Sequence, residues 1–237
     1  MTKLSVNINK IATLRNARGG DVPNLSQFAI DCQRFGANGI TVHPRPDERH
    51  ITFKDALALR EVVHTEYNIE GYPDQRYFDI LRQAKPEQAT LVPDGPHVLT
   101  SSEGWDIRNH FEALKAWIAQ IHDLGIRSSI FVAPDAEQIQ WAAEVGAQRI
   151  ELYTGPYAHG FKVDPEKSLQ PYAEACNTAV QLGLGINAGH DLSLENLTFF
   201  KEGLIQLDEV SIGHAIIADA LYFGIENTVG MYQRCLN

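Results

Sequence analysis

Strand-like and helix-like runs alternate along the whole of this chain, and that alternation limits its fold more than any other feature. Eight short runs rich in β-branched and aliphatic residues read as strands: Leu4 to Asn9, Gly39 to His43, Tyr67 to Tyr72, Ala89 to Pro93, Arg127 to Ala133, Arg149 to Thr154, Gly183 to Ala188 and Asp208 to Ile212. Between them lie stretches such as Leu25 to Phe35, Ala56 to His64, Phe111 to Leu124 and Ala136 to Val145, whose apolar residues recur every three or four positions. Asn24, Asp135 and Ser193 stand where helix N-caps are wanted. Strand and helix alternating over short connections predict parallel strands joined by right-handed crossovers. Eight such units in 237 residues fit a closed (β/α)₈ TIM barrel of the α/β class, whose usual size is roughly 250 residues. With no Gly/Ser linker or low-complexity segment to divide it, the chain is expected to form one domain over residues 1–237. A doubly wound open sheet is the alternative. It would normally carry G-x-G-x-x-G after its first strand, where this chain reads N-I-N-K-I-A-T-L-R-N-A-R-G-G.

Composition then narrows what such a barrel could serve. No apolar run is long enough to span a bilayer, and the N-terminal M-T-K-L-S-V-N lacks the apolar centre of a signal peptide, so a soluble protein is expected. Cys32, Cys176 and Cys235 are odd in number, far apart and without a C-x-x-C pair, which points away from a disulfide framework or zinc knuckle and towards a reducing, cytoplasmic compartment. A net charge of −10 and the lack of a basic stripe weigh against nucleic acid and anionic membrane as partners. Anionic small molecules stay open, because Lys10, Arg15, Arg18, Arg45 and Arg49 crowd into residues 10–49.

In a barrel of this kind the reactive residues come from the C-terminal ends of the strands. Strand one ends in Asn7, Asn9 and Lys10, strand two in His43 and Arg45, and strand three in Glu70; strand six ends in Glu151 and Thr154, strand seven in Asn187, Gly189 and His190, and strand eight in Gly213 and His214. The opposite ends look blander. After strand two, H-P-R-P-D-E-R-H brings His43, Arg45, Arg49 and His50 close together, with Pro44 and Pro46 stiffening the backbone. That loop is either a shaped site or a solvated surface. In Y-N-I-E-G-Y the strand period puts Glu70 on the same side as Asn68 and opposite Ile69, facing the barrel interior or mouth. There it serves a structural pair with arginine or, with His43 one strand away, proton transfer near neutral pH. Gly189-His190 and Gly213-His214 fall where barrels bind phosphate, the second opening a helix whose N-terminus favours negative charge; a tight turn and a capping histidine are the alternative. Arg18, Arg45 and His50 could hold a second anion, or be occupied by Asp21 and Asp47. Asp94 to Asp106 is the longest connection without a pattern and is expected to act as a lid containing Thr100 and packed through Trp105, or to be surface. Tyr153 and Tyr157 read as barrel packing.

These segments resemble one family closely. V-N-I-N-K-I-A-T-L-R-N-A-R-G (Val6 to Gly19), G-I-T-V-H-P-R-P-D-E-R-H-I (Gly39 to Ile51), N-I-E (Asn68 to Glu70), I-N-A-G-H (Ile186 to His190) and I-G-H-A-I (Ile212 to Ile216) are similar to the signature segments of the pyridoxine 5′-phosphate synthase family of vitamin B6 synthesis, in the same order. The resemblance implies a homo-octamer of (β/α)₈ barrels with no metal and no organic cofactor. It also implies condensation of 1-deoxy-D-xylulose 5-phosphate with 3-amino-2-oxopropyl phosphate to pyridoxine 5′-phosphate, phosphate and water. On that resemblance His43 and Glu70 accept protons and His190 donates one. Asn7 would bind the amino ketone; Arg18, Arg45, His50 and Thr100 the deoxyxylulose phosphate; Gly213 and His214 a phosphate of the amino ketone. Glu151 is counted with the substrate-binding residues. The chain departs from the family at Asn9-Lys10, where well-known members carry Asp-His, and at Asp191, where they carry Gly. Asn9 can still bond a sugar hydroxyl and Lys10 can meet an anion, so both, with Asp191, are expected at the substrate. The rival expectations are a metal-dependent sugar-phosphate epimerase, with His43, Glu70, Glu151 and His190 as ligands, and a non-catalytic barrel that binds a phosphometabolite.

Overall fold

The computed structural model describes residues 1–93 and 103–237; Thr100 and most of the expected lid lie outside the described residues. Eight parallel strands close into a barrel in sequence order: β1 Lys3–Asn7, β2 Gly39–Val42, β3 Glu66–Gly71, β4 Gln88–Leu91, β5 Arg127–Val132, β6 Arg149–Tyr153, β7 Gly185–Gly189 and β8 Glu209–Ile212. The ring shuts where β1 pairs with β8, Val6 lying opposite Ile212. This is the (β/α)₈ TIM barrel that the alternation predicts.

The two-residue period of a strand sorts the side chains onto two faces. Leu4, Val6, Ile40, Val42, Ile69, Ile130, Ile150, Ile186 and Val210 point outward and are wholly buried in the apolar layer beneath the helices. Each such side chain contributes about 1.5–3 kcal/mol. The inward face is polar instead. Ser5 Oγ and Thr41 Oγ1 lie 2.7 Å apart, Asn68 Nδ2 donates to Thr41 Oγ1 at 3.3 Å, and Thr90 Oγ1 donates to Asn68 Oδ1 at 3.0 Å. On the other side of the ring, between the neighbouring strands β6 and β7, Arg149 Nη1 donates to Asn187 Oδ1 at 2.9 Å. Contrary to the sequence reading, the N-terminal ends of the strands are not bland. Arg127 joins Glu66 and Gln88, and Lys3 reaches Glu66 at 3.1 Å, so charges close the bottom of the barrel. Runs such as R-S-S-I-F-V conceal this, because an arginine heading a strand looks like a loop residue until its neighbours across the sheet are known.

The helices begin where side-chain oxygens can take up free N–H groups. Asn24 accepts from Gln27 N at 2.7 Å, and Asp135 accepts from Gln138 N at 2.9 Å. Ser193 does not cap a helix. Its own N–H donates to Asn196 Oδ1, and the helix starts later, at Leu197. The helix expected from Ala56 runs over Phe53–Arg60 because Thr52 and Asp55 form a reciprocal capping box. Strand one stops at Asn7, and Asn9 and Lys10 fall in the first turn of the helix Asn9–Asn16 rather than in the strand. From its other end Arg15 reaches Asp55 with two bonds of 2.7 and 2.8 Å, and Asn16 Nδ2 donates to His50 O at 2.9 Å. Arg76 holds the far side of the same loop through Pro44 O at 2.8 Å. The proline-rich segment after β2 is therefore fixed from both flanks.

Candidate active site

The C-terminal mouth of the barrel opens into a cavity of about 540 Å³. Asn7, Asn9 and Lys10 line it from β1 and the helix that follows, His43, Arg45 and His50 from the loop after β2, and Glu70 from β3. His190, Asp191, Gly213 and His214 complete the wall with Tyr153 and Ala215, two residues that the sequence reading did not place there. Glu151 is not in the lining: it is wholly buried behind His190. Arg18 is exposed and absent from the lining, so within this chain it does not join Arg45 and His50. Arg15 serves Asp55 rather than the cavity.

Glu70 sits between two histidines. Its Oε2 is 3.8 Å from His43 Nδ1 and its Oε1 is 3.9 Å from His190 Nε2, and the carboxylate is 2% exposed. The two imidazoles face opposite electrostatic conditions. Burial, followed by Arg45, His50, His190 and Arg49, drives the His43 pKa well below its usual value. His43 is consequently neutral at physiological pH and able to accept a proton. Burial also works against a charged His190, but Glu70, Glu151 and Asp191 outweigh it and push that pKa up to about 9. His190 therefore holds a proton that it can give. Burial and the nearby Glu70 raise the Glu151 pKa to about 8, partly offset by His190 at 3.5 Å. Both Glu151 oxygens lack a hydrogen-bond partner among the described residues.

The backbone of His190 is itself unusual. Its φ is 78°, a left-handed conformation that costs a residue with a Cβ. Three bonds over-determine it: His190 N donates to Ser211 O at 3.1 Å, Asp191 N to Thr154 Oγ1 at 3.2 Å, and Thr154 Oγ1 to Gly189 O. A Cβ on Gly189 would lie 2.5 Å from Ser211 O, which excludes any other residue there. Thr154, noted in the sequence as a polar strand end, is thus spent on holding the histidine turn.

The remaining lining is cationic or rich in free donors. His50 Nδ1 accepts from Ile51 N at 2.9 Å, so its neutral ring carries the proton on Nε2 and can donate there. Burial, then Arg45, Arg49 and Lys10, lowers its pKa to about 4, which keeps it in that form. Asn9 Oδ1 accepts from His43 N at 2.9 Å, tying the first helix to the catalytic candidate. Gly213 is the N-cap of the helix His214–Phe223, whose first N–H groups lack intrahelical partners and open beside the cavity. A Cβ on Gly213 would come within 3.0 Å of Asn7 O. Trp105 is buried, stacked on Tyr72 with ring centroids 6.0 Å apart, and donates from Nε1 to Leu91 O at 3.0 Å. The described end of the expected lid is therefore anchored to the barrel. Tyr157 packs against Phe200 as predicted, whereas Tyr153 reaches the cavity.

Together these groups can move protons in both directions and meet anions at the rim. Ligating atoms of Glu70, Glu151 and His190 lie within 4.8 Å of one another and could also surround a small cation. The rate should be level around neutrality and fall as pH rises through about 9, because His190 then loses the proton it must donate. A kcat profile across that range checks this, and a rate still climbing above pH 9 would count against it.

A parallel barrel with a buried acid–base cluster at its C-terminal mouth defines an enzyme of the (β/α)₈ class. Residues 4–237 match the family described as pyridoxal phosphate biosynthesis protein PdxJ. This chain is 56% identical over 236 residues to the pyridoxine 5′-phosphate synthase of Bacteroides fragilis (strain YCH46), covering 100% of both chains. It is 57% identical over 233 residues to the enzyme of the same name from Porphyromonas gingivalis, with 98% of each covered. A solved structure of thiamine phosphate pyrophosphorylase from Pyrococcus furiosus shares the fold at a TM-score of 0.62 and 12% identity, covering 99% of this chain and 95% of that one. The chain belongs to the PdxJ family of pyridoxal phosphate biosynthesis proteins.

Proposed function

We propose that this protein is a pyridoxine 5′-phosphate synthase, joining 1-deoxy-D-xylulose 5-phosphate to 3-amino-2-oxopropyl phosphate with release of phosphate and water. The observation that carries the reading beyond family membership is the pair of histidines with opposite protonation on either side of Glu70. Addition of an amine to a ketone, dehydration and loss of phosphate each need a proton taken from one atom and given to another. His43 and Glu70 are the acceptors and His190 the donor. Glu151, in contact with His190, helps to keep that donor charged.

Asn7 and the N–H groups at Gly213 and His214 serve the amino ketone and its phosphate, where the helix N-terminus favours negative charge. Arg45, His50 and Thr100 serve the deoxyxylulose phosphate, with Asn9 and Asp191 near its hydroxyls and Lys10 as a point charge. Arg18, exposed in this chain, would reach a phosphate only from a neighbouring subunit or after a shift of the segment that carries it. An interface between copies is supported by the exposed apolar end of the helix His214–Phe223, where Leu221 and Tyr222 are 76% and 86% exposed, and a homo-octamer is the assembly that the family resemblance implies. The cytoplasm is the proposed location, in keeping with the three free cysteines. No helix among the described residues is long and apolar enough to cross a membrane.

Incubating the purified protein with both substrates and detecting pyridoxine 5′-phosphate by mass tests the proposal. Product that requires both substrates supports it. No product from folded protein with either substrate order refutes it.

A further inference from the structure

The strands of this barrel carry one apolar side chain on their inward face. Along β1 to β8 the described inward positions hold serine, threonine, asparagine, glutamine, glycine, charged residues and Tyr153; the exception is Phe131, in phase with Ser129 and Arg127 on β5. Phe131 is wholly buried, yet it stands apart from the apolar core between strands and helices. Hydrophobic packing with that core is therefore not what it provides. Its ring lies against the imidazole of His190, with centroids 5.0 Å apart and planes inclined by only 24°. Its other aromatic neighbour is Tyr153, at 5.7 Å.

The groups facing His190 come from several elements. Glu70 approaches from β3 and Glu151 from β6, Asp191 follows it in the chain, and His43 stands across Glu70. The three carboxylates act on the charge of the ring without fixing its plane, and neither Glu70 nor Glu151 comes closer to it than 3.5 Å. At such distances electrostatic attraction leaves the ring free to swing about its last side-chain torsion. A flat partner removes that freedom, and the negative face of a phenyl ring attracts an imidazolium in particular.

We propose that Phe131 is a positioning residue for the proton donor: its ring face holds the His190 imidazole in one plane, so that Nε2–H points towards Glu70 and the substrate, and favours its charged form. The proposal rests on the reading of His190 as the donor. It assigns to β5 a part in the chemistry, although that strand contributes nothing to the cavity lining.

The experiment compares Phe131→Leu, which keeps apolar bulk but removes the aromatic face, with Phe131→Tyr, which restores the face. For each, kcat, KM for both substrates, the pH at which the rate falls on the alkaline side, and the thermal midpoint are measured. In Phe131→Leu, kcat is expected to fall roughly 10- to 100-fold, the scale of a small misplacement of a reacting group. KM should stay within about twofold, because phosphate contacts are untouched, and the alkaline fall should move to lower pH. Phe131→Tyr should recover most of the rate. A folded Phe131→Leu with unchanged kcat and an unchanged alkaline limb overturns the proposal, as does a folded Phe131→Tyr no better than Phe131→Leu. If the leucine variant fails to fold, Phe131→Met takes its place under the same criteria. A histidine NMR titration of wild type and variant keeps the two readings apart. If His190→Asn turns over normally, the donor assignment has failed; a His190 titration that still shifts on loss of the phenyl ring then supports the stacking alone, and one that does not overturns both.

Discussion

Glu70→Gln is expected to fold like the unsubstituted protein and to lose about 10²- to 10⁴-fold in turnover, the usual worth of acid–base catalysis. The amide keeps the shape of the side chain, so the polar inner face of β3 has no cavity to collapse. Two losses combine. Proton acceptance goes, and so does the negative charge that holds His190 above its ordinary pKa. Stability should not suffer, because Glu70 also repels the buried Glu151, and neutralising one carboxyl relieves the other. Product formation followed beside thermal unfolding checks both halves. Near-normal turnover by the folded variant would remove Glu70 from the chemistry.

His190→Asn should produce a loss of similar size, about 10²- to 10⁴-fold. Asparagine is the replacement of choice because position 190 has a φ of 78°, which asparagine tolerates better than most residues with a Cβ. The histidine turn should keep its bonds to Ser211 and Thr154. In this variant the residual rate should also lose its fall near pH 9, since the group responsible for it is gone. Steady-state kinetics across pH measure both effects. A variant with normal kcat, or one whose alkaline limb stays where it was, would contradict the role of His190.

Most of the scaffold is legible in the sequence because a parallel strand buried under helices must show β-branched and aliphatic residues at alternate positions. I-T-V, N-I-E and I-N-A announce both the strands and the side on which Asn68 and Glu70 stand. The ends are harder. The first strand stops two residues short of Asn9, since Ile8 turns the chain and Asn7 Oδ1 already accepts from Asn9 N at 3.1 Å, opening a helix that apolar spacing does not betray. The site residues are legible as a set because titratable groups at successive strand ends have little structural reason to be there. Their division of labour is not, as charge state depends on neighbours from other strands: Arg45 and His50 around His43, Glu70 and Glu151 around His190. Arg15 illustrates the converse. It looks like part of a basic cluster awaiting an anion, but Asp55, forty positions along, already occupies it. Phe131 hides inside I-F-V, an unbroken apolar run in which the inward residue can be picked out only by counting back to Ser129 and Arg127.

The account turns on two histidines near one carboxylate holding opposite charge at the same pH. NMR titration of the ¹⁵N-labelled imidazoles, assigned through His43→Asn and His190→Asn, measures this directly. The expected result is a His190 ring that stays protonated until about pH 9 and a His43 ring that stays neutral well below the ordinary histidine pKa. Two rings titrating together at about 6.5, the value of an unperturbed histidine, would contradict the account.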